Sequence, residues 1–433
     1  MSYIYYLLAV IMVYLGGKLV QKVNLPAILG WLLVGIIVGP YVTNILSQEI
    51  INQEWYQVLM IFVQVFVGMM LGKNIDFNRM KKSGKQMITL SLSEIFITFI
   101  VVSIAFGILF TIRGFPLILA LVIGAVATAT APAPPISVTK EYDTEGPVTR
   151  TVISLTIFNA VFVTTLFFTG SAILQSTLLE TSTSIITQLL TMLIIPIIYG
   201  AVMGMITAKV LKDDYPPQRN LLLYIIAIVL TICIAIFIDQ TLYKEPAMMF
   251  LMMGIAFKTS FVNSMDDNIK TDLSKVEGRL HEIALLLLII NLCAPLNPNA
   301  LINAGVGAVL YTLIRMLGKW LGGYIPGKIM NLDQNVSKYI GITMFSHAGQ
   351  GLVFAGVGAK IVSFLNPAYG DYIMTIIPAA AIITEIIGIL LSKKVYEWSG
   401  EMEVEYDHDE QETFIDEHSI YRYYDRYEKY FDK

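Results

Sequence analysis

Three prolines inside one apolar stretch set the tightest limit on what this chain can form. Residues 124–139 read Gly-Ala-Val-Ala-Thr-Ala-Thr-Ala-Pro-Ala-Pro-Pro-Ile-Ser-Val-Thr. Pro132, Pro134 and Pro135 remove three backbone donors and clash with carbonyls one turn earlier, so no continuous helix runs through the segment. In hydrocarbon, freed carbonyls are tolerated only where they are buried in protein or line a wet cavity. A break at this depth therefore predicts a protein interior built around exposed backbone oxygens. Interrupted membrane helices of this kind hold ions near the bilayer midplane in secondary transporters.

The surroundings of the break are membrane-like. Of 433 residues, 56% are hydrophobic and only 14% are charged, which excludes a soluble domain of this size. Apolar runs long enough to cross about 30 Å of hydrocarbon fall at roughly 3–21, 25–42, 55–72, 86–112, 116–139, 150–173, 186–208, 220–238, 246–262, 281–297, 300–325, 338–363 and 371–392. The sequence thus predicts an all-α polytopic membrane protein with about 13 spans. The first run has no basic region before it and reads as a retained span rather than a signal peptide. Basic residues cluster in alternate loops, from Lys18 and Lys22 to Lys73, Arg79, Lys81, Lys82 and Lys85, then Lys209, Lys212 and Arg219, then Lys258, Lys270, Lys275 and Arg279. The intervening loops hold only Arg113 and Lys244. The positive-inside rule puts the N-terminus outside and the C-terminus in the cytoplasm of a cell (plasma) membrane protein.

Residues 1–398 form the transmembrane domain, and 399–433 form an acidic, Tyr-rich cytoplasmic tail that begins Glu401, Glu403, Glu405, Asp407. Such a run stays solvated, either as a simple solubilising tail or as a regulatory contact for the basic loops. Cys233 and Cys293 lie in apolar spans and suggest neither a disulfide frame nor a metal site. No nucleophile–base set, phosphate-binding loop, cofactor motif or nucleic-acid motif is present, so an enzyme is not expected.

Charges at membrane depth are costly and are functional or paired. Glu94 lies roughly 12 Å into its span, and Arg315 and Lys319 lie roughly 15 Å and 9 Å from the same surface at 1.5 Å per residue. His347 is the one histidine near a second weak stretch, Phe345-Ser-His-Ala-Gly-Gln-Gly-Leu-Val-Phe-Ala-Gly356. There Gly349 and Gly351 loosen the helix, while Ser346, His347 and Gln350 are able to satisfy released backbone groups. Close helix packing is the competing explanation for those glycines. Asp239 sits at an outer helix end facing water, and Glu385 and Lys360 read as structural.

Several segments together resemble the monovalent cation:proton antiporter superfamily. They are Asn24-Leu-Pro-Ala-Ile-Leu-Gly30 running into Leu33-Val-Gly-Ile-Ile-Val-Gly-Pro40, Ala127-Thr-Ala-Thr-Ala-Pro132, Lys140-Glu-Tyr-Asp-Thr-Glu-Gly-Pro-Val-Thr-Arg150, Arg315-Met-Leu-Gly-Lys-Trp-Leu-Gly322 and Thr384-Glu-Ile-Ile-Gly388. The resemblance implies two inverted repeats, roughly 25–173 and 246–392, with crossing broken helices and a mobile core beside a dimerisation domain. It also implies a homodimer, and exchange of a monovalent cation (Na+ or K+) for protons by alternating access. Under it the ion site comprises Thr128, Thr130, Ala131, Pro132, Ser154, Phe158 and Asn159, with no other metal and no cofactor.

One departure is pointed. Members of the superfamily carry an Asp-Asp or Asn-Asp pair on the helix after the first break, where this chain has Phe158 and Asn159. Asn159 offers a carbonyl oxygen but cannot titrate. The resemblance makes Lys319 the partner of the first missing acid, which leaves Glu94 as the acid available to Arg315 and Lys319. Glu94 is then either a fixed salt bridge or a proton-coupling carboxylate. Besides cation exchange, a transporter of an anionic or neutral solute and a non-transporting sensor or partner subunit both fit these residues.

Overall fold

The structure, a computed structural model, describes residues 2–22, 27–73, 84–131, 135–136, 138–139, 142, 144–178, 194–212, 215–242, 250–265, 267–295 and 305–402. Pro132 and Pro134, and the tail from 403 onward, lie outside these residues. Among the described residues there is no strand, and the helices are α1 (Ser2–Gln21), α2 (Ala27–Val38), α3 (Gln48–Ile51), α4 (Glu54–Gly72), α5 (Gly84–Arg113), α6 (Leu117–Ala127), α7 (Pro147–Leu178), α8 (Ile195–Val210), α9 (Pro217–Leu242), α10 (Phe250–Ser264), α11 (Asp267–Cys293), α12 (Gly305–Ile329), α13 (Gln334–Thr343), α14 (Ala348–Ser363) and α15 (Pro367–Ser399). Six of them, α1, α4, α5, α7, α9 and α15, are long and apolar enough to cross a membrane, and α2, α6, α8 and α14 are shorter apolar helices. The chain is an all-α, polytopic membrane protein.

Two compact units are built from interleaved parts of the chain. One takes residues 1–47, 81–167 and 289–433, the other 48–80 and 168–288. The first unit contains both interruptions. Helix α6 ends at Ala127 with two tight turns, Thr128 N–H to Ala125 O and Ala129 N–H to Val126 O at 3.3 and 3.2 Å. The Thr128 hydroxyl folds back on Ala125 O at 2.7 Å. The second break falls at residues 344–347, between α13 and α14. That overlaps the start of the expected segment 345–356, including Ser346 and His347, while Gly349 and Gly351 are helical. The imidazole of His347 occupies the space beside Gly351, where a Cβ would collide with the ring. Glycine there makes room for a side chain rather than weakening the helix.

In the second unit, α10 lies against α4 and α8, with Gly68, Gly72, Gly200, Gly204 and Gly254 at the contacts, where any added Cβ would overlap a neighbouring backbone. Small residues replace the missing hydrophobic drive between helices in lipid. Three expectations change in this unit. The segment 263–280, read as a loop, is largely helix α11, and Lys258 is buried on α10 as a salt-bridge partner of Glu277. Lys258 also donates to Tyr224 Oη at 3.3 Å, and this pairing is what lets a charge counted with the basic loops enter the interior. Asp239 is 3% exposed, not at water.

Candidate functional site: the meeting point of two helix breaks

The two breaks touch through backbone. Ala131 N–H donates to Ser346 O at 3.0 Å. Around that bond converge the C-terminal ends of α6 and α13, whose last carbonyls have no intrahelical partner and carry partial negative charge. Helix α12 aims Tyr311, Arg315 and Lys319, spaced four apart on one face, at these ends. Its approach depends on Gly322, where a Cβ would overlap the Glu94 backbone of α5.

Arg315 is fully buried and donates only to carbonyls: Nε to Ala127 O at 3.0 Å, Nη1 to Phe345 O at 2.6 Å, and Nη2 to Ala129 O at 2.5 Å and Ser346 O at 3.4 Å. One guanidinium thus holds both breaks. It is not the partner of Glu94. That role falls to Lys319, whose Nζ lies 2.7 Å from Glu94 Oε1 with both side chains fully buried. Lys319 also donates to Thr128 O at 2.6 Å and Thr130 Oγ1 at 2.8 Å. The ammonium is therefore enclosed by a carboxylate, a carbonyl and a hydroxyl.

Glu94 is held on its other side. Asn159 Nδ2 donates to Glu94 Oε2 at 3.1 Å, Ser91 Oγ donates to Asn159 Oδ1 at 2.5 Å, and Thr98 Oγ1 reaches Glu94 Oε1 at 3.4 Å. The amide orientation follows from these partners, since the carboxylate requires a donor. Phe158 takes no part; it is buried and stacks on Phe162 at 5.8 Å between centroids.

His347, at the start of α14, lies 3.2 Å from Ala129 O through Nδ1 and 2.9 Å from Tyr311 Oη through Nε2. The carbonyl needs a donor, so Nδ1 carries the proton and Tyr311 donates to Nε2. Gln350 and Ser346 differ from expectation. Gln350 donates to Thr164 Oγ1 at 2.8 Å, not to freed backbone. Ser346 contributes its carbonyl, while its buried hydroxyl has no partner among the described residues. Ala131 and Ser154 are buried close by in sequence to these groups, and Gly349 belongs to α14. Sequence reasoning missed Ser91, Thr98 and Tyr311. Helical spacing carried the signal, since Ser91 and Thr98 stand three and four residues from Glu94 and Tyr311 stands four before Arg315.

Residues 7–393 match the family described as "Sodium/hydrogen exchanger, transmembrane". The chain belongs to this family. Membership places it among secondary transporters and not among enzymes. A curated relative in Bacillus subtilis (strain 168), the K(+)/H(+) antiporter subunit KhtU, is 22% identical over 416 residues, spanning 91% of this chain and 96% of the relative. The fold is similar to that of the sodium proton antiporter MjNhaP1 from Methanocaldococcus jannaschii, solved at pH 8, with a TM-score of 0.64, 19% identity, and 92% and 97% of the two chains covered. An electron-microscopy structure of the same antiporter gives a TM-score of 0.60 at 20% identity, covering 92% and 96%.

Proposed function

We propose that the chain exchanges a monovalent cation, Na+ or K+, for protons by alternating access, and that the Glu94–Lys319 pair does the work of the absent aspartate. The observation that carries this is the enclosure of the Lys319 ammonium by Glu94 Oε1, Thr128 O and Thr130 Oγ1 at 2.6–2.8 Å. A lysine ammonium is a compact monovalent charge, and these three oxygens are the hard ligands an alkali ion takes. Ion and ammonium compete for one place. When the cation arrives, Lys319 loses its proton and withdraws as a neutral amine; when the proton returns, the cation is expelled. Glu94 is the shared anionic ligand, steadied by Asn159 and Ser91. Thr128, Thr130, Glu94 and Asn159 are then the binding residues. Arg315, Ser346, His347 and Ala131 keep the crossing open, and Ser154, Phe158, Gly349 and Gln350 support it.

The architecture that goes with this reading has thirteen spans in residues 1–398, arranged as two inverted repeats over roughly 25–173 and 246–392. A core moves beside a dimerisation domain in a homodimer, with the N-terminus outside and the tail from 399 in the cytoplasm. Family membership and the fold likeness support it.

The test is flux. In reconstituted vesicles with an imposed pH gradient, addition of K+ or Na+ is expected to dissipate the gradient; if neither these nor Li+ does so, coupled exchange is out. A transporter of an anionic solute would then come first, because Arg315 and Lys319 bring two cations to the crossing.

Asn159→Asp gives a sharper check. It sets a second carboxyl 3.1 Å from Glu94 Oε2, and two carboxylates that close hold a shared proton. Opening the site then requires losing that proton, so the pH profile of flux is expected to move to higher pH than in the natural chain. An unmoved profile would remove Asn159 from the site.

A further inference from the structure

The inner end of the helix that carries Asn159 is capped by a residue more than 250 positions away. Helix α15 stops at Gly400, which adopts φ 72°, and the chain turns so that Glu401 reaches the start of α7. Its carboxylate accepts Val148 N–H at 2.7 Å through Oε1, and Thr149 N–H and Thr149 Oγ1 at 2.8 Å through Oε2. Its own carbonyl accepts Glu145 N–H at 3.1 Å and its own N–H donates to Tyr396 O at 3.0 Å. Glu401 is 6% exposed, and a Cβ on Gly146 would overlap its carboxylate.

The same corner holds an apolar cluster. Val395 and Tyr396 of α15 join Leu90 of α5, Val138 after the first break, Val148, Val152 and Leu155 of α7, Val336 and Ile340 of α13, and Met344 at the start of the second break, with Met402 packed against them. A carboxylate at a helix N-terminus supplies both hydrogen-bond acceptors and charge complementary to the dipole. From Thr149 to Asn159 is ten residues, roughly 15 Å along α7, too far for direct contact with an ion. All of these groups belong to one unit of the chain, so the contact fixes the axial position and rotation of α7 within that unit.

We propose that Glu401 is a positioning residue for the ion site: by clamping the first turn of α7 it holds the Asn159 amide at hydrogen-bonding distance from Glu94. Among the described residues, those that make this clamp end at Met402. The affinity arm of the test rests on the exchange reading above; the hydrogen-exchange arm does not.

The test compares the full chain with Glu401→Ala, Glu401→Gln, a chain stopped after Met402 and a chain stopped after Gly400. Amide hydrogen exchange along α7 is measured in detergent, and cation-driven proton flux in vesicles. Glu401→Ala and the Gly400 stop are expected to speed exchange at residues 148–149 at least tenfold, with faster exchange spreading to the turn containing Asn159. They are also expected to raise the half-saturating cation concentration about tenfold, the size of a lost cap, with little change in maximal rate. Glu401→Gln falls between, and the Met402 stop behaves as the full chain does. Three results would overturn the proposal: the two stops behaving alike, a fall in maximal rate at unchanged half-saturation, or faster exchange confined to the first turn. If the full chain shows no ion-driven flux, the exchange reading fails, and hydrogen exchange at the Asn159 turn alone decides the role of Glu401.

Discussion

Glu94→Gln is expected to reduce ion-driven proton flux to background in vesicles and, at the same time, to weaken the fold. The two effects have one source. Glu94 is fully buried against the Lys319 ammonium at 2.7 Å, so neutralising it removes the anionic ligand of the enclosure and strands a cation in the interior. Breaking a buried pair from one side costs roughly 3–5 kcal/mol, whereas neutralising both partners is often close to neutral. A chain carrying Glu94→Gln together with Lys319→Met should therefore regain most of the thermal stability lost by the single variant, read as the unfolding temperature in detergent, while staying without flux. Glu94→Gln with full turnover would return Glu94 to a structural role and remove the basis of the exchange reading.

The arrangement around Glu94 was partly open to inspection in the sequence. Its depth in the span matches that of Arg315 and Lys319, and opposite charge makes a pair with one of them natural. Charge alone cannot choose between the two. The choice follows from the competing demand of the freed carbonyls, which take the five-donor guanidinium because its planar fork serves several acceptors at once. Lys319, with three donors on a point charge, is left for Glu94, Thr128 and Thr130. Backbone carbonyls belong to every residue, so no sequence pattern announces which of them a side chain will serve.

The two breaks were legible to different degrees for a similar reason. Prolines act on their own neighbourhood, and the first interruption follows from Pro132, Pro134 and Pro135 whatever packs around it. The second depends on partners. Ser346 and His347 lie in the opening but Gly349 and Gly351 do not, because the chain opens where Arg315 and Ala131 stand ready to pair with Phe345 O and Ser346 O, not where glycine is most frequent. Glu401 was hidden by its company. Read with the acidic run that follows, it looks like one more solvated charge, and only the fold brings it to the amides of Val148 and Thr149.

Arg315→Met should lower the stability of the fold severely. The substitution keeps most of the volume but withdraws donors from Ala127 O, Ala129 O, Phe345 O and Ser346 O, all in buried residues. Ala129 O keeps the His347 Nδ1 donor and Ser346 O keeps the Ala131 N–H, so Ala127 O and Phe345 O are left unpaired. At about 1–3 kcal/mol each they take a large share of a typical domain's stability of about 5–15 kcal/mol. Arg315→Lys retains a cation at the ends of α6 and α13, where the helix dipoles favour one, but cannot span both breaks. It should fold with an unfolding temperature well below that of the natural chain. The measurement is size-exclusion behaviour and thermal unfolding in detergent for the three chains side by side. A well-folded Arg315→Met chain, equal in stability to the natural one, would mean that the breaks are held by the Ala131–Ser346 backbone bond and packing alone. Arg315 would then have to be explained by the ion rather than by the fold.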